Sequence, residues 1–242
     1  MDAIRIENLT KKYKDVVAVD NLSLSVKKGE LLSLLGVNGA GKTTTIKMLS
    51  CLIQPTSGDG FLNGYSICCE PASVKSLIAV SPQETAVAPG LTVKENLELI
   101  CGIHGFRKAQ RETKISQIVR QLGLETVISK KAGKLSGGWQ RRLSIAMAMI
   151  SQPEILFLDE PTLGLDVIAR RDLWDMILAL KGQVTIILTT HYMEEAEVLS
   201  DRVAIMKDGK LLICDTAENI KHATCAESFE QAFVRVVKGE ST

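Results

Sequence analysis

Two short stretches of the 242-residue chain carry residue types suited to phosphate chemistry. The first, Gly36-Val37-Asn38-Gly39-Ala40-Gly41-Lys42-Thr43, fits the pattern G-x-x-x-x-G-K-[ST]. Its glycines let the backbone curl so that N–H groups and the start of a helix expected over residues 44–51 face phosphate oxygens. Lys42 then reaches the β and γ oxygens, and the Thr43 hydroxyl suits Mg²⁺. The second is the apolar run 155–158, which ends in Asp159-Glu160. Ligands of open parallel sheets bind beyond the carboxyl ends of the strands. Asp159 therefore suits the metal, and Glu160 is positioned to orient and deprotonate an attacking water.

Both stretches need strands to hold them. Residues 31–35, 155–158 and 184–188 are almost wholly apolar and are separated by helical patterns, which is how buried parallel strands read. Residues 4–9 and 22–26 alternate apolar and polar, as half-exposed antiparallel strands do. From about 91 to 151 the pattern is helical: Leu97, Ile100 and Cys101 share a face, and Ile115, Ile118, Val119 and Leu122 repeat at helical spacing. Asp208-Gly209 between two apolar runs signals a hairpin. The expected organisation is one domain over 1–242, with an α/β core in 1–90 and 152–216. An inserted helical subdomain occupies 91–151, and a short helical tail follows in 217–242.

Hydrophobic residues at 45% and charged residues at 24% exclude disordered and fibrous classes. The net charge of +1, from 29 basic and 28 acidic residues, gives no general affinity for nucleic acid. No apolar run is long enough to span a membrane, so the chain itself is expected in the cytosol. The six cysteines include no C-x-x-C pair and read as reduced thiols. Trp174 reads as a core residue on a helix face with Leu173, Ile177 and Leu178.

Over residues 4–213 the chain resembles the ATP-binding cassette (ABC) ATPases that power membrane transporters. Leu135-Ser136-Gly137-Gly138-Trp139 is similar to that family's signature sequence, with Trp139 where Gln is commonest. Ser-Gly-Gly opening a helix is itself a plausible phosphate cradle. The resemblance implies a P-loop (RecA-like) core with an antiparallel β subdomain and the inserted helical one. It implies ATP and Mg²⁺ as ligands, with Gly36, Asn38, Gly39, Ala40, Gly41, Lys42, Thr43 and Thr44 around the phosphates and Tyr13 against the adenine. Ser136, Gly137 and Gly138 would contact the nucleotide, as would Asp166 in the loop Leu163-Gly164-Leu165-Asp166, which resembles the loop that crosses the family's dimer interface. Thr43, Gln83 and Asp159 would hold the metal, and Glu160, His191 and Gln83 would serve hydrolysis.

In the family each ATP is sandwiched between two protomers, here Lys42 of one and Ser136 of another. A homodimer or heterodimer is therefore implied, docked on separately encoded permease subunits at the cytoplasmic face of the membrane. Lys94-Glu95-Asn96-Leu97 and the stretch from Thr189 to Ala196 resemble the exporter branch that handles drugs, peptides, lipids or sodium. The alternative is a soluble ABC ATPase acting on nucleic acid or ribosomes, whose usual long coiled-coil insertion or second cassette is missing from this sequence.

Overall fold

The computed structural model describes residues 2–239. Its first two strands, β1 (Asp2–Tyr13) and β2 (Val16–Lys27), pair antiparallel through several register shifts and extend beyond the alternating cores of 4–9 and 22–26. β3 (Leu31–Leu35) is buried throughout and leads through the glycine-rich loop into α1 (Lys42–Leu49), which starts two residues before the expected Thr44. β4 (Ser57–Leu62) and β5 (Tyr65–Ser66) complete a four-stranded sheet in the order β2-β1-β4-β5.

After α2 (Pro71–Leu77) and β6 (Ile78–Ser81) come three helices that pack on one another: α3 (Val93–Ile103), α4 (Lys108–Gln121) and α5 (Gly137–Met149). Their apolar faces meet as the spacing predicts, with Leu97, Cys101, Ile115, Ile118 and Leu122 all buried. Thr92 and Glu95 form a reciprocal capping box that fixes the start of α3.

The remaining elements alternate: β7 (Ile155–Asp159), α6 (Val167–Leu180), β8 (Thr185–Thr190), α7 (Met193–Leu199), β9 (Arg202–Lys207), β10 (Lys210–Asp215), α8 (Ala217–Ala223) and α9 (Phe229–Lys238). β8 runs past the apolar segment because Thr189 and Thr190, though polar, are fully buried. The predicted hairpin is present, with Asp208 and Gly209 both at positive φ between β9 and β10. Trp174 is buried as expected, whereas Leu178 faces outward and belongs to the exposed side of α6. The last three residues of the expected tail, 240–242, lie outside the described residues. All six cysteines are free thiols.

The large sheet has the order β10-β9-β3-β8-β7-β6, with β10 antiparallel to β9 and the other pairings parallel. β3, β7 and β8 are buried along their whole length, covered on both faces, which explains their nearly unbroken apolar runs. Leu156 and Leu158 pack with the helical layer, while Ile155 and Phe157 join α1 and the antiparallel sheet. Register then aligns the exits. Leu35 pairs with Thr190, Thr189 with Asp159, and Leu158 with Ser81. Gly36, His191, Glu160 and Pro82 therefore all emerge at the same carboxyl edge.

Candidate functional site

At that edge lies an open cleft of about 720 Å³. It is lined by Tyr13, Asn38, Gly39, Ala40, Gly41, Lys42, Thr43, Thr44, Gln83, Glu160 and His191, together with residues 16–18 and Leu163. Eleven site residues nominated from the sequence thus share one cleft. Gly39 and Gly41 take φ of +84° and +99°, a backbone that a side chain disfavours. At Gly41 a Cβ would also come within 2.5 Å of the Ala18 carbonyl oxygen. The first-turn amides of α1 have no carbonyl four residues earlier within the helix and are available to an anion.

Lys42 is 5% exposed, and its Nζ donates to the Gly36 carbonyl at 2.7 Å and the Val37 carbonyl at 3.2 Å. Glu160 Oε1 lies 3.9 Å from the same nitrogen. Burial pulls the ammonium below the usual lysine range, and the charges of Glu160 and then Asp159 oppose that shift. Asp159 Oδ1 accepts from Thr43 Oγ1 at 3.0 Å and from the buried Thr189 hydroxyl. Thr43 and Asp159 thereby present hard oxygen donors side by side, a set that fits Mg²⁺.

Glu160 has a left-handed backbone, φ +46°, directly before Pro161. Its N–H is held by the Thr189 carbonyl at 3.1 Å and the Thr189 hydroxyl at 3.0 Å. Strained residues of this kind persist where surrounding contacts over-determine them. His191 Nδ1 stands 3.3 Å from Glu160 Oε2 without the alignment of a hydrogen bond.

Gly36 is the exception within the loop. It does not line the cleft, and a Cβ there would approach the Met206 carbonyl oxygen to 2.4 Å, so its lack of a side chain serves packing against β9. Ser136, Gly138 and Asp166 are not brought to Lys42 in this chain. They line a separate cleft of about 310 Å³ with Trp139, Arg142 and Ala169. Ser136 opens α5 without a side-chain cap bond, and Asp166 caps α6 by accepting from Ala169 N at 2.9 Å. Gly137 lies beside them at the start of α5.

Sequence reading missed Glu195, a fully buried carboxyl on α7 that accepts from Trp174 Nε1 at 3.0 Å. Burial raises its pKa above the usual glutamate value, against the pull of Thr190, Thr162, Trp174 and Arg170. An acid whose folded pKa is raised contributes stability at low pH that is lost as pH climbs from the unfolded value through the folded one. Glu195→Gln is therefore expected to melt higher than the parent chain at pH 8 and alike at pH 4. An equal shift at both pH values would show that the fold imposes no charge penalty there. Two acidic residues in tandem, Glu194-Glu195, give the sequence no sign of which one is buried.

A family model described as "ABC transporter" matches residues 19–163. The human "Phospholipid-transporting ATPase ABCA3" is 39% identical over 222 residues, 90% of this chain but 13% of that protein. The "Doxorubicin resistance ATP-binding protein DrrA" of Mycobacterium tuberculosis is 37% identical over 223 residues, covering 91% of this chain and 67% of that one. Among solved structures, a dimeric ATP-binding cassette in a post-hydrolysis state bound to ADP and Pi superposes with a TM-score of 0.77 at 27% identity. The match covers 88% of this chain and 98% of the other.

Proposed function

Because the chain belongs to the ABC transporter family, we propose that it is the ATP-hydrolysing subunit of an exporter, closing on a second protomer when ATP binds and driving separately encoded membrane subunits. The observation that carries this reading is the convergence of the glycine-rich loop, Glu160, Gln83 and His191 on one cleft, with Asp159 behind it hydrogen-bonded to Thr43. ATP is the substrate. Tyr13, 46% exposed at the cleft mouth, offers its ring to the adenine, a stacking contact worth roughly 1–3 kcal/mol.

On ATP binding, Lys42 exchanges its two carbonyl acceptors for phosphate oxygens, whose negative charge adds to that of Glu160. Thr43, Asp159 and Gln83 would hold Mg²⁺, which when bound neutralises phosphate charge. Glu160 accepts the proton of the attacking water, and His191 beside it donates to the γ-phosphate. Ser136, Gly138 and Asp166, which line a different cleft from Lys42, and Gly137 beside them are assigned to the nucleotide held by the partner. Loss of the γ-phosphate removes the contacts of Ser136, Gly138 and His191 and lets the protomers part.

No helix among the described residues is long and apolar enough to cross a membrane. In the proposed reading, membrane subunits supply the pathway and this chain works at its cytoplasmic face. Support for export comes from the likeness to DrrA, a doxorubicin resistance ATP-binding protein by name. The test is to recover the tagged full chain from detergent-solubilised native membranes and identify what accompanies it. A stoichiometric polytopic membrane protein is the expected result. Recovery only with ribosomes or nucleic acid would overturn the transport reading in favour of a soluble ATPase.

A further inference from the structure

The side chain of Arg141 lies where the helix that begins at Ser136 meets the segment carrying Gln83. Arg141 is 5% exposed on α5, and its guanidinium makes two bonds into the loop after β6: Nη1 to the Pro82 carbonyl at 2.7 Å and Nη2 to the Gln83 carbonyl at 2.5 Å. One turn further along α5, Ser144 Oγ meets Ser81 Oγ at 3.1 Å. The helix is thus fastened to three consecutive residues of that strand end and loop, Ser81, Pro82 and Gln83.

A buried guanidinium is a costly way to fill space, because its charge must be desolvated and re-paired. An aliphatic side chain would pack as well. What Arg supplies instead is a rigid planar fork whose donors match two successive carbonyls. Burial lowers its pKa, and the nearby charges of Asp159 and Glu195 oppose this, so the cation also lies in the field of the site carboxylates.

We propose that Arg141 is a positioning residue that couples the two composite ATP sites, transmitting displacement of the Ser136 edge against the partner's nucleotide to Gln83 in the cleft of its own chain. This rests on the ATPase reading given above. A shift of α5 cannot leave Gln83 in place while both guanidinium bonds hold. Occupancy of one site therefore sets the metal and water contacts of the other.

The experiment is a double-mutant cycle on the purified full chain, comparing Arg141→Met, Gln83→Ala and the combination. The readouts are kcat, KM for Mg²⁺ at saturating ATP, and affinity for a fluorescent ATP analogue without metal. Arg141→Met keeps the packing volume but removes both donors. Its expected effect is a loss of about 10- to 100-fold in kcat with a raised KM for Mg²⁺, the range for removing a group that orients metal ligands. Metal-free nucleotide affinity stays unchanged, and Arg141→Lys recovers part of the loss. In the Gln83→Ala background the Arg141 change adds nothing, since the two act as one unit.

Unchanged kcat, or the same fold loss in the Gln83→Ala chain as in the parent, overturns the proposal. Should Arg141→Met fail to fold, Arg141→Lys is read through the same cycle. A parent chain with no Mg²⁺-dependent hydrolysis would instead contradict the ATPase reading itself.

Discussion

Glu160→Gln is expected to bind ATP and scarcely turn it over, with hydrolysis lower by about 10²- to 10⁴-fold, the usual contribution of a positioned general base. The substitution isolates the proton-accepting step for a structural reason. Glu160 is anchored by its backbone, through N–H bonds to the Thr189 carbonyl and hydroxyl, and Gln inherits both along with the same left-handed φ. Removing the charge leaves Lys42 without the carboxylate 3.9 Å away, but Gly36 and Val37 still accept its protons. Single-turnover hydrolysis checks the rate, and gel filtration with ATP checks for an accumulating dimer. Turnover at the parent rate would remove Glu160 from the mechanism.

Ser136→Asp is expected to abolish turnover by roughly 10²- to 10³-fold, the scale for losing a group aimed at developing charge, without weakening ATP binding by the monomer. Aspartate is as good a helix N-cap as serine, and Ser136 is exposed at the start of α5, so the fold tolerates it. Its negative charge would meet the γ-phosphate only across a dimer, because within one chain Ser136 belongs to a different cleft from Lys42. Two-fold pairing adds a sharper consequence. Mixed with Lys42→Ala, itself inactive, the variant regains part of the hydrolysis, since each hybrid dimer has one site with both parts intact while the empty second site withholds the coupling through Arg141. Lost monomer affinity for ATP, with no recovery on mixing, would put Ser136 in its own chain's site.

Local features of the site were legible from the residues. A glycine-rich loop between an apolar strand and a helix, an acidic pair closing a buried strand, and Asp208-Gly209 between two strands each depend on neighbours a few positions away. Long-range relationships were hidden. Gly36 looks like one more phosphate-loop glycine until β9 appears behind it, with the Met206 carbonyl in the space a Cβ would take. Arg141 and Arg142 are adjacent and chemically alike, yet one is buried against Pro82 and Gln83 while the other lies over the Trp139 ring at 4.9 Å. Thr189 and Thr190 are polar by type yet fully buried at the end of β8. Their burial follows from partners at Asp159 and Tyr192 that no local pattern records.

The strand order also bears on how the chain is made. β3, four leucines and a buried serine near the start, pairs within its sheet with β8 and β9, which are encoded some 150 to 175 residues later. At synthesis rates of about 5–20 residues per second, both its edges emerge from the ribosome roughly 8 to 31 s before either neighbour exists. Leu31–Leu35 therefore needs shielding during translation, and the phosphate loop that hangs from it acquires its shape only after β8 and β9 arrive.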